Sequence, residues 1–174
     1  MQQRNKRLVS GAMFALALIL MFTQMPSYAQ EEQEQAREEN ARHFSANARR
    51  LEGVWESEIT MRNCQTNDAI RSFRGRTLFI RGGAAIGANN NPQIQSSPAL
   101  GQWEYLGGRR YRATFSAFRF NPDGSFAGVV RQIRNITLSQ DGDQLTITVN
   151  TETFDADDRL IATGCATDTA RRVE

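Results

Sequence analysis

The sequence predicts an all-β protein: a single antiparallel up-and-down β-barrel of about eight strands, entered from a short N-terminal helix. Two observations carry this expectation. From Gly53 onward apolar and polar residues alternate with a period of two, and turn residues interrupt the alternation at short, regular intervals. The chain also has two cysteines, Cys64 at the end of the first candidate strand and Cys165 in the last. A bridge between first and last strands is what closure allows, because closure makes those strands neighbours. A β-sandwich is the alternative, but in its immunoglobulin form the bridge joins two interior strands across the core.

Residues 1–29 read as an export signal. Arg4, Lys6 and Arg7 are followed by an apolar run of 15 residues, Leu8–Phe22, then Pro26 and the small-x-small pair Ser27 and Ala29. The run is shorter than the ~20 residues a spanning helix needs. Cleavage between Ala29 and Gln30 is therefore expected, with the mature chain in the periplasm or outside the cell and no membrane span left. No cysteine follows to carry a lipid anchor.

Cleavage would also change the electrostatics. Taking three cations from 21 leaves 18 against 19 acids, a net charge of −1. The basic character belongs to the signal, so a nucleic-acid partner has no support. All 18 remaining cations are arginines. The remaining length, about 145 residues, suits one domain with a real core. In an exported chain the even cysteine pair reads as a disulfide, and closing a loop of about 100 residues contributes ~4–5 kcal/mol in the entropic model.

Residues 30–50 are a polar tail rich in Glu, Gln, Ala and Arg. Acids lead and Arg49 and Arg50 close it, which suits a helix dipole. Ala41, Phe44, Ala48 and Leu51 recur at helical steps, so a short helix is expected to end before Gly53. The barrel domain then occupies 51–174, with strands expected at 53–63, 69–81, 83–88, 101–106, 109–120, 125–138, 144–154 and 159–172. Asn121-Pro122-Asp123-Gly124 is a turn with proline and glycine where the dihedrals demand them. Asp141-Gly142 is a two-residue hairpin signal. Gly82-Gly83, Gly107-Gly108 and the polar run 155–158 break the other strands. Residues 88–100 are the one long loop.

If Cys64 lies beside Cys165 in an antiparallel pairing, Arg172 falls opposite Ser57 and Glu174 opposite Trp55. Arg172 would then sit diagonally beside Trp55 on the same face, within reach of a cation–π contact worth ~0.5–2 kcal/mol.

At Gly53-Val54-Trp55 on the first strand, with a short helix before it and "TARRV" near the end, the chain resembles the calycin superfamily, the lipocalin-like β-barrels. It is most similar to the small lipocalin-like secreted proteins of bacteria. The resemblance implies that Trp55 plugs the closed end of the barrel and that Arg172, or Arg171, lies across it. A clear Thr-Asp-Tyr turn motif is missing, so the resemblance implies no particular ligand.

The chemistry is sparse. His43 is the only histidine and precedes the barrel, which excludes a Ser-His-Asp triad and a multi-histidine metal site there. Asp155, Asp157 and Asp158 lack the glycine-containing spacing of a calcium loop and read as a turn. Glu56 and Glu58 lie on the strand face opposite Trp55 and read as solvated. Asn135-Ile136-Thr137 matches a glycosylation pattern by chance.

Ligand-binding candidates are aromatic. Trp103 and Tyr105 share a face on the strand after the long loop, where access to a barrel is usually controlled. Tyr111 and Phe115 lie on one face of the next strand, with Phe118 and Phe120 on the other, and a bulge between Phe115 and Phe118 would turn both sets inward. Arg110 and Arg112 would select an acidic head group if inward and are solvated if outward. The leading expectation is a non-enzymatic exported barrel that binds a small apolar or amphipathic molecule, with no cofactor. An envelope interaction module with a filled barrel and a cyclase- or isomerase-type enzyme are the alternatives. No protein partner can be named.

Overall fold

The structure, a computed structural model, describes residues 46–91 and 96–173. The expected export signal at 1–29 and most of the polar tail, including His43, lie outside the described residues, as does Glu174. Eight strands follow in order: β1 (Gly53–Arg62), β2 (Ala69–Phe79), β3 (Ala84–Asn89), β4 (Ala99–Gly107), β5 (Arg110–Phe120), β6 (Phe126–Leu138), β7 (Gln144–Phe154) and β8 (Leu160–Arg172). Each pairs antiparallel with the next, and β8 pairs back onto β1 to close an up-and-down barrel. The barrel, not the sandwich, is the fold. Among the described residues no helix is long and apolar enough to cross a membrane.

The period-two pattern is read directly as inside and outside. On β5, Tyr111, Ala113, Phe115 and Ala117 are buried while Arg110, Arg112, Thr114, Ser116 and Phe118 are exposed. β7 does the same with Leu145, Ile147 and Val149. Glycines with positive φ sit at the tight turns foreseen at Gly82-Gly83, Gly107-Gly108 and Gly124.

The core gathers at one end, where Leu51, Trp55, Phe79, Tyr111, Ile136, Leu138 and Leu145 are almost fully buried. Residues 46–49 form a helical turn there, and it is fastened by side chains from below. Trp55 Nε1 donates to Leu51 O at 2.9 Å, and the Tyr111 hydroxyl donates to Asn47 O at 2.6 Å. The Arg172 guanidinium lies 4.3 Å from the Trp55 ring centre. It also donates to Glu52 O at 2.7 Å, Arg50 O at 2.6 Å and Gly142 O at 3.2 Å. Gly53 permits this. Its φ is +120°, and a Cβ there would come 3.0 Å from the Arg172 guanidinium. Arg171 is exposed; Arg172 alone covers the plug.

Three expectations need correction. The β1–β8 register pairs Trp55 directly with Arg172 and Arg62 with Cys165, two residues away from the predicted pairing. The Cys64–Cys165 disulfide is formed, with Cα atoms 5.3 Å apart, but Cys64 lies in the turn after β1, outside the ladder. The bridge is thus no guide to register. No bulge separates Phe115 from Phe118, and Phe118 and Phe120 face outward, Phe118 against Phe126 at 6.0 Å. The register shift on β5 comes later, at Arg119/Phe120. Finally, β6 and β7 are joined by residues 139–143, not by two residues. Ser139 and Asp141 bond each other, and Ser139 Oγ accepts from Gln144 N at 3.0 Å, which holds the wider turn.

Two stability tests follow from this closure. Cys64→Ala should lower unfolding free energy by ~2–5 kcal/mol, given the 101-residue separation it spans; an unchanged denaturation midpoint on reduction would deny the bridge that role. Trp55→Ala should cost ~3–5 kcal/mol in urea titrations, and a near-neutral result would mean that the end plug is not structural.

Candidate functional site

Because aromatic residues fill one end, the space inside the barrel is left at the other. A cavity of about 290 Å³ opens there, between the ends of β1, β3, β5 and β7 and the starts of β2, β4, β6 and β8. Its walls are Ile59, Met61, Phe73, Val130, Val149 and small residues such as Gly87, Ala117 and Ala166, with threonines 151, 153 and 163 nearer the rim. Ser96 and Ser97 of the long loop stand at its edge, and Ser96 bridges to Arg119. Among the described residues the interior is filled at one end and open at the other.

Two charged side chains occupy the inner part of the cavity. Arg134 comes from β6 and Asp168 from β8, with β7 between them; Arg134 pairs across to Val149 and Asp168 to Ile147. Both point inward because they are in phase with buried neighbours: Arg134 with Ile136 and Leu138, Asp168 with Ala166 and Ala170. They are 7% and 1% exposed.

Arg134 is well held. Its Nε and Nη2 donate to Gln132 Oε1 at 3.2 and 2.9 Å, and Nη1 donates to Thr77 Oγ1 at 3.3 Å. Its guanidinium lies 4.4 Å from the Phe115 ring centre. That ring can lie flat against β4 because position 101 is glycine; a Cβ there would fall 2.7 Å from the ring and 2.2 Å from Thr114 O. Burial pushes the guanidinium below its usual pKa, and Asp168 works against that shift.

Asp168 is less well served. No hydrogen bond of normal geometry closes on either carboxylate oxygen. Burial pushes its pKa up to about 6, with the Arg134 charge and the Ser57 hydroxyl favouring the ionised form and limiting the rise. A desolvated carboxyl near a fixed cation in a cavity marks Asp168 as a candidate functional group.

The aromatic candidates lie elsewhere. β4 starts beside the long loop at the open mouth and runs inward. At ~3.3 Å per residue, Trp103 and Tyr105 sit more than ~10 Å further down. They pair with Ala113 and Tyr111 and pack with Phe79 and Tyr111 near the plug. Trp103 Nε1 donates to Ile80 O at 3.0 Å. Phe115 lies under Arg134, and Arg112, like Arg110, faces outward. None of Trp103, Tyr105, Tyr111, Phe115 or Arg112 lines the cavity. The long loop does mark the mouth, but the strand leaves it before reaching the aromatics.

Arg134 and Asp168 went unnoticed in the sequence, although a signal was there. Asp168 stands four residues before Arg172, so whatever face carries Arg172 beside Trp55 also carries Asp168. Arg134 is likewise two residues before the apolar Ile136. Among the described residues no cluster of His, Cys, Asp and Glu is placed to hold a metal ion.

No family model matches the chain, and no curated protein does. Among solved structures, the crystal structure of Rv2717c from M. tuberculosis is similar at 13% identity and a TM-score of 0.39, over 72% of this chain and 94% of that one. At that level the likeness carries no functional meaning.

The Asp168 shift has a consequence for stability. Its folded pKa, about 6, lies above the ordinary carboxylate value of about 4. The native state therefore holds the proton more tightly than the unfolded chain. The resulting stabilisation is complete below about pH 4 and lost as pH rises through about 6, a swing on the order of 3 kcal/mol. Asp168→Asn should remove that swing. Denaturant titrations of both proteins from about pH 4 to 7 check this; parallel curves would place the carboxylate in an ordinary, solvated setting.

Proposed function

We propose that this protein is an exported, non-enzymatic, lipocalin-like barrel that binds one small apolar or amphipathic molecule in its open half. The cavity is the observation that carries the reading. It has apolar walls, an opening beside a long loop, and a few polar groups converging at its inner part, the common layout of a small-molecule site. The polar groups are Arg134, Gln132, Thr77 and Asp168. The signal and the disulfide fit an oxidising compartment.

A second reading has its own support. A buried carboxyl titrating at about 6 beside a fixed guanidinium suits a general acid or base. Catalysis of the cyclase or isomerase type would place its reacting atoms against Asp168. Recovery of an unaltered small molecule with the purified protein favours binding, and a chemically converted one favours catalysis.

The binding reading is tested with the neutral fluorescent probe N-phenyl-1-naphthylamine and the variant Ala117→Phe. Ala117 lines the cavity on β5, six residues along the strand from Tyr111 at the plug. The expected result is saturable binding to the native chain and a loss on the order of tenfold in the variant, with an unchanged circular dichroism spectrum. Equal binding by both would place the probe outside the barrel and overturn the reading.

A further inference from the structure

Resting on the binding reading above, we propose that the ligand carries an uncharged polar head group, a carboxamide or a hydroxyl, that docks between Asp168 and Arg134 with its apolar body toward the mouth. Asp168 is one of the residues lining the cavity and is 1% exposed, yet neither carboxylate oxygen closes a hydrogen bond of normal geometry, with only the Ser57 hydroxyl acting on it from the wall. A buried acceptor in that state calls for a donor. The Arg134 guanidinium has five N–H bonds, and three nitrogens spend one each on Gln132 and Thr77. Donors therefore remain on Arg134 for an acceptor. The complementary head both donates and accepts.

Charge makes the choice narrower. The charged groups lining the cavity are Arg134, Asp168 and, at the rim, Arg119. The acids on the neighbouring strands, Glu56 and Glu58 on β1 and Glu152 on β7, belong to the outward phase and are exposed or do not line the cavity. The inner pair is thus close to neutral as a unit. An anionic head would have to approach Arg134 with Asp168 facing it, and a cationic head would approach Asp168 with Arg134 facing it. In a desolvated setting each meets an uncompensated like charge. A neutral head meets neither and satisfies both partners. The walls beyond it, Ile59, Met61, Phe73, Val130 and Val149, suit a short apolar body.

Three straight-chain probes of equal length separate these cases: octanamide, octanoate and octylamine, measured by calorimetry near neutral pH on the full mature chain. Octanamide should bind more tightly than either charged probe by on the order of tenfold. In Asp168→Asn, octanoate should gain on octanamide by a similar factor, because the opposing charge is gone. In Arg134→Gln, octylamine should gain instead. Tightest binding of octanoate by the native chain, or a ranking that neither substitution moves, overturns the proposal while leaving a binding cavity in place. Loss of all three probes together with N-phenyl-1-naphthylamine overturns the binding reading itself. Should either variant fail to fold, the ranking on the native chain still decides.

Discussion

The contact between Trp55 and Arg172 is the constraint on which the rest of the barrel depends. It joins the first strand to the last at a directly paired position, so the ring of hydrogen bonds closes where the core is densest. The guanidinium covers the indole and at the same time accepts the task of satisfying backbone carbonyls of Arg50, Glu52 and Gly142. Those carbonyls belong to the chain entering the barrel and to the β6–β7 turn. Without a long donor there, the end of the barrel would bury carbonyls with no partner. Lysine offers no planar fork to do this while stacking on a ring.

Filling one end this completely decides where space remains. Leu51, Trp55, Phe79 and Tyr111 take up the lower interior, and the strands above carry smaller inward residues: Ala117, Ala166, Gly87 and the threonines. A β-barrel of eight strands has an interior about wide enough for side chains or for one small ligand. Here both outcomes occur, one above the other. The disulfide lies at the open end, on the outside of the wall, and ties the β1–β2 turn to β8 without entering the cavity.

Much of this was legible in the sequence. The strands fall close to where alternation and turn residues put them, since both signals are local. Gly53, Trp55 and Arg172 were legible through the resemblance that their motif carries, and the structure pairs Trp55 with Arg172 directly. The register was not, because a cysteine in a turn bonds diagonally and says nothing about ladder partners. The aromatic residues misled for a related reason. An inward aromatic on a barrel strand can fill the core or face a cavity, and only its height along the barrel axis distinguishes the two. Tyr111 is near the plug and Phe115 beneath Arg134; neither position can be read from the spacing of residues on β5.

The sequence by itself determined the strand count and the places of most turns, because side-chain alternation and turn chemistry act over a few neighbouring residues, while the end plug was implied by the resemblance at Gly53, Trp55 and Arg172. Only the tertiary structure decided that Arg134 and Asp168 line one cavity. They stand on β6 and β8, separated by a whole strand, and each looks like an ordinary surface charge until the barrel closes. Closure carries both out of water, fixes Arg134 on Gln132, Thr77 and Phe115, and leaves the Asp168 carboxylate desolvated without a hydrogen bond. That difference in hydration arises from three-dimensional burial; the local pattern gives the face each residue shares, not how deeply closure buries it.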